Sequence, residues 1–80
     1  MSRDLYADGY EVAEQLREAG LLEWSQRVAS AIENGFTATE ILMGLRWQLE
    51  QVLGSEVDLP SETAALARKT ARAVGEVLGE

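Results

Sequence analysis

Apolar residues recur along this chain at intervals of three and four, and almost nowhere do they alternate with period two for more than a few positions. That spacing gives a helix one face for a core and one for water, so the pattern predicts helices throughout and no sheet. Gly20, Gly35 and Gly54 divide the pattern into four segments, and each stands where a helix is expected to end in the left-handed conformation. The first segment, about residues 4–19, carries Leu5, Val12, Leu16 and Ala19 on one stripe, widened by Tyr6, Tyr10 and Ala13. Gly9 inside it is expected to weaken the helix start by roughly 1 kcal/mol relative to alanine. The second segment, about 22–34, presents Trp24, Val28, Ala31 and Ile32, with no Ser, Thr, Asp or Asn at its entrance.

The third segment, 38–53, has the fullest local grammar. Thr37-Ala38-Thr39-Glu40 spells a capping box, and Phe36 and Ile41 are spaced for a hydrophobic staple across it. Its expected core face is Ile41, Leu42, Leu45, Leu49 and Val52. Pro60 opens the fourth segment, 60–78, where its missing amide costs nothing, and Ser61, Glu62 and Thr63 fall in the first turn. Ala64, Ala67, Ala71, Val74 and Leu78 form a narrow small-residue face flanked by Leu66, Ala73 and Val77. Short connections favour antiparallel neighbours, so the expected architecture is all-α, a compact antiparallel four-helix bundle making one helical domain of residues 1–80.

Composition narrows the chemistry. Of 80 residues, 46% are apolar and 26% charged, a globular balance rather than a disordered one. With neither cysteine nor histidine there is no disulfide, thiolate or imidazole metal site, cysteine nucleophile or histidine base. Fourteen acidic against seven basic side chains give a net charge of −7, which argues against a nucleic-acid partner. Met1–Asp4 lacks the basic start and apolar stretch of a secretory leader, and no apolar run approaches the roughly 20 residues of a membrane span. A cytoplasmic chain with no membrane association is the expectation.

Catalytic readings find little support. Carboxylate pairs such as Glu11 with Glu14, or Glu14 with Glu18, fall on the wet face of the first helix rather than in a pocket. Lys69, the only lysine, sits in Ala-Arg-Lys-Thr without a glycine-rich phosphate loop, and Asp8-Gly9 lacks the ligand series of a calcium loop. No enzyme, cofactor or metal is expected.

Binding is what remains. Met43 and Trp47, four apart, stack on one side of the third helix, roughly opposite Leu45 and Leu49, and Glu40, Gly44 and Glu50 share that side. With Glu33 at the end of the second helix, these six residues make a candidate partner-binding patch: an aromatic, a methionine, a glycine for close approach and surrounding carboxylates. The same pattern also fits a central helix buried by neighbours on both sides, with Trp24 packed under the turn between the first two helices. Charge is uneven as well. Residues 1–62 hold twelve acids and four bases, a net of −8, whereas residues 63–80 hold two acids and three bases, a net of +1. An acidic face of this size steers a cationic partner, or serves solubility alone. Arg46 is spaced to pair with Glu50, and Arg68, Lys69 and Arg72 form a small basic cluster.

Two family resemblances follow from these residues. Asn34-Gly35-Phe36-Thr37-Ala38-Thr39-Glu40-Ile41-Leu42-Met43 superficially resembles the stretch around the prosthetic-group serine of acyl carrier proteins, but Gly35 stands in the serine's place and offers no hydroxyl for phosphopantetheine. Residues 16–53 resemble the small helical immunity proteins of bacterial polymorphic toxin systems, including the Maf-type group. That resemblance lies in Gly20-Leu21-Leu22-Glu23-Trp24, in Ala31-Ile32-Glu33-Asn34-Gly35, in Glu40-Ile41-Leu42 and in Leu45-Arg46-Trp47-Gln48-Leu49. It implies a cytosolic inhibitor that binds a basic toxin domain and occludes its active site. The alternative is a self-associating module, a homodimer formed through Met43 and Trp47 or through Ala64, Ala67 and Ala71.

Overall fold

The computed structural model describes residues 4–79; Met1–Arg3, read above for a leader pattern, and Glu80 lie outside the described residues. Four helices, α1 (Leu5–Glu18), α2 (Leu22–Glu33), α3 (Ala38–Leu53) and α4 (Ser61–Val77), fall within one residue of the expected bounds. Each packs on its neighbour in sequence, and α4 closes the ring against α1. Cross-helix pairs fix the directions: Tyr10 meets Glu33 and Ser25 meets Ala13, so α1 and α2 run antiparallel. The fold is an all-α four-helix bundle.

Local chemistry sets the ends. Asp4 caps α1 by accepting from the Ala7 amide at 3.0 Å. At the other end Gly20, with φ +84°, completes a Schellman motif: its amide donates to Arg17 O and the Leu21 amide to Leu16 O. As expected, α2 starts without a side-chain cap. Pro60 sits just outside α4 as its N-cap, and its carbonyl accepts from Ala64.

The glycines divide differently from expectation. Of the three segment-ending glycines only Gly20 is left-handed; Gly54 caps α3 at φ −88°, and Gly35 also avoids positive φ. Gly79, with φ +83°, closes α4 instead. Nor is Gly9 merely a weak point in α1. It is buried, and a Cβ there would lie 2.9 Å from Ile32 Cδ1 and 3.0 Å from Leu45 Cδ2, so its bare backbone makes room for side chains of α2 and α3.

Leu16, Val12, Val28, Leu45, Leu49, Val52 and Val74 form the fully enclosed centre, joined by Leu5, Ala13, Ile32, Leu42, Ala67 and Ala71. Several expected core positions lie elsewhere. Ala19 is exposed because it lies past the end of α1 as its C-cap, and Tyr10 and Val77 are exposed because the outer positions of a wide stripe turn away from a ring of only four helices. The Phe36–Ile41 staple does not form: Phe36 is 93% exposed while Ile41 packs against the core. Ala67 and Ala71 are buried and Ala64 half-buried, so the small-residue face is consumed inside the bundle and cannot mediate a dimer.

Hydroxyls stitch the helices together. Ser25 Oγ donates to Ala13 O at 2.7 Å, and Thr63 Oγ1 donates to Gln15 Oε1 at 2.8 Å. Among the described residues, the buried Thr70 Oγ1 and Gln48 Oε1 have no hydrogen-bond partner.

Candidate protein-binding surface

The surface is built on α3. Thr37 Oγ1 accepts from the Glu40 amide at 3.1 Å, which forms the hydroxyl half of the expected capping box and fixes the register of the helix from its first turn. With that register, Leu42, Leu45, Leu49 and Val52 turn inward and are buried. Met43 and Trp47 then fall on the opposite side, 55% and 57% exposed. The reading in which α3 is buried on both sides therefore does not hold, and the core is complete without either residue.

Carboxylates bracket this apolar pair. Glu40 and Glu50 are both exposed, about 15 Å apart along α3 at 1.5 Å per residue, with Met43 and Trp47 between them. Glu40 lies in the first turn, where the helix dipole favours a negative charge. Glu50 lies near the other end, where the dipole adds to its negative potential and no basic residue occupies the last turn.

Glu33 ends α2, a short connection away from the start of α3, and its last turn likewise carries no base. Its carboxylate accepts from the Tyr10 hydroxyl at 3.4 Å. Partial desolvation, followed by the charge of Glu33 and this hydrogen bond, holds the Tyr10 phenol above its ordinary pKa.

Gly44 belongs to a different surface. It is half-buried, and a Cβ placed on it would sit 3.7 Å from the Ala31 Cβ, so it lies in the α2–α3 seam. Five of the six candidates are thus exposed on α3 or at the end of α2, and the sixth supports the packing beneath them. Trp24 is half-buried against the core in the first turn of α2, and the Arg27 guanidinium lies 4.8 Å from its ring centroid while bonding Glu23 at 2.7 Å.

Phe36, expected to staple onto Ile41, is instead an exposed aromatic. It immediately precedes the α3 cap, so its exposed ring lies at the entrance of the helix that carries Met43 and Trp47. A capping-box spacing carries no signal that separates a stapled aromatic from a free one, since both have the same sequence.

Among the described residues no group of three or more acidic side chains forms a metal-holding cluster, and no helix is long and apolar enough to cross a membrane. Compared with family models, curated proteins and solved structures, the chain matches none. The likeness to immunity proteins rests on the residues quoted for it above.

Proposed function

We propose that this chain is an inhibitor-type binding protein that docks the outward face of α3 onto a basic partner protein. The observation that carries the reading is the exposure of Trp47 and Met43 between Glu40 and Glu50, on a helix whose inner face already fills the core. Leaving a tryptophan and a methionine half in water forgoes burial worth about 25 cal/mol per Å² of apolar surface, which a partner recovers on docking. The bracketing carboxylates and the net charge of −7 select a cationic surface and repel acidic ones.

Charge also favours a foreign partner over a second copy. A two-fold contact through this face sets the same patch against itself, bringing Glu40 and Glu50 carboxylates of both copies together. Like charges at such a contact oppose it. The resemblance to immunity proteins supplies the finer form of the proposal: the partner is a bacterial toxin domain, and the acidic face with Trp47 as anchor occludes its basic active site in the cytoplasm.

Affinity capture from a lysate of the source cell, at low and moderate salt, tests this. The expected result is one basic protein that binds at low salt, is released by added salt, and whose activity falls when the chain is bound. Recovery of only the chain itself, with melting that depends on protein concentration, overturns the reading in favour of self-association.

A further inference from the structure

Four residues on the outward side of α3 enclose a hollow of the kind that one helix offers another. Glu40, Met43, Gly44 and Trp47 stand at i, i+3, i+4 and i+7, the corners between which a facing helix inserts one side chain. Glu40 and Trp47 close the two ends of the hollow and Met43 walls one side, all three exposed. Gly44 leaves the remaining side low. The fold does not ask for glycine at that corner. A Cβ there would meet the Ala31 Cβ at 3.7 Å and the Ala31 carbonyl oxygen at 4.0 Å, both ordinary contacts, and φ is not positive. At Gly9 and Gly35, by contrast, the corresponding distances fall to 2.9 and 2.5 Å. Alanine is also the better helix former inside α3. What glycine alone provides at position 44 is close approach by something outside the bundle.

We propose that the partner docks on α3 through a basic amphipathic helix, one of whose large apolar side chains enters this hollow, a form of partner that rests on the reading of this face given above. An isolated strand laid along α3 would leave its own N–H and C=O groups unpaired, because those of α3 are already bonded along the helix; a helix arrives with its backbone satisfied. Charge fixes the rest of the pattern. Glu40 stands at the edge of the hollow, and Glu50, also exposed, lies about 10 Å along the helix from Met43. Lysines or arginines on either side of the inserted residue reach both carboxylates, while acidic side chains in those places are repelled.

NMR titration of the isotope-labelled full chain with three synthetic peptides of about 14 residues, roughly four helical turns, tests the assignment. One peptide sets leucine and lysine at helical spacing, one has the same composition in strict alternation, and one replaces the lysines of the first with glutamate. The helical leucine–lysine peptide, used where it is monomeric, is expected to bind saturably and to shift the α3 amides between Glu40 and Glu50. The other two are expected to bind more weakly by about tenfold or more. Trp47→Ser should weaken binding by about tenfold. Gly44→Ala should weaken it about fivefold by narrowing the hollow while raising the thermal midpoint, opposite effects that a purely structural glycine would not give. Leu22→Ser, at an exposed apolar position at the start of α2, should leave binding unchanged. None of these variants alters the net charge. Equal binding by the alternating peptide overturns the helical form and leaves the basic-partner reading standing; equal binding by the leucine–glutamate peptide overturns both. Absence of saturable binding by the helical leucine–lysine peptide overturns the proposal, as does binding that neither Trp47→Ser nor Gly44→Ala weakens.

Discussion

Gly35 and Ile41 lie so close that a Cβ on Gly35 would stand 2.5 Å from Ile41 Cγ1 and 3.0 Å from its amide nitrogen. The turn from α2 into α3 therefore closes only because position 35 has no side chain, and its backbone need not be left-handed to require glycine. Two of the crowded atoms belong to the backbone of Ile41, so no change of rotamer relieves the contact. Gly35→Ala is expected to lower the unfolding free energy by about 1–3 kcal/mol, the usual cost of overpacking. Urea denaturation measures it, and an unchanged midpoint would contradict the account of this turn.

Thr70 presents the opposite case. Its side chain is fully enclosed and its hydroxyl oxygen has no partner among the described residues, so folding strips water from a polar group without replacing the bond. Valine keeps nearly the same shape without that penalty. Thr70→Val is expected to stabilise the bundle by about 1 kcal/mol, read as a raised denaturation midpoint with the slope unchanged. Destabilisation would mean that the hydroxyl is satisfied in solution.

Acid should weaken one helix-stabilising pair in a defined direction. The Arg17 guanidinium hydrogen-bonds Glu14 and holds its carboxyl below the ordinary value, with the opposite charge of Arg17 adding to the effect against slight desolvation. A carboxyl with a depressed folded-state pKa contributes stability above its unfolded value of about 4.5, and that contribution is lost as pH falls through the depressed value. Carbon-detected NMR titration should place the Glu14 midpoint below that of an unfolded peptide, and Arg17→Gln should return it. A midpoint unaffected by Arg17→Gln would rule out the pair as its cause.

The helices were legible in the sequence because the apolar period ran through each segment and the glycines, Pro60 and the Thr37 cap marked where the segments break. Thr37 and Gly20 act locally, through bonds within one or two turns of the chain, and local rules read them correctly. What was not legible depended on neighbours from other helices. Gly9 looks like a flaw in α1 until Ile32 and Leu45 arrive beside it, and Thr63 looks like an ordinary first-turn residue until Gln15 faces it. The candidate surface divides the same way. Met43 and Trp47 could be placed on one side of α3 from their spacing, but only the ring of four helices decides that no fifth element covers that side. Arg46 could be read as a partner for Glu50, yet its position over Gly75 is a relation between α3 and α4 that neither segment encodes alone.

The central claim is that the outward face of α3 exists for a partner and not for the fold. Its most direct test is Trp47→Ala measured in two ways, by chemical denaturation and by capture of the basic partner. An exposed residue outside the core should change the unfolding free energy by no more than about 0.5 kcal/mol, while removal of the interface anchor should abolish capture. Loss of several kcal/mol of stability would make Trp47 a core residue, and undiminished capture by a stable variant would remove α3 from the interface; either result contradicts the account.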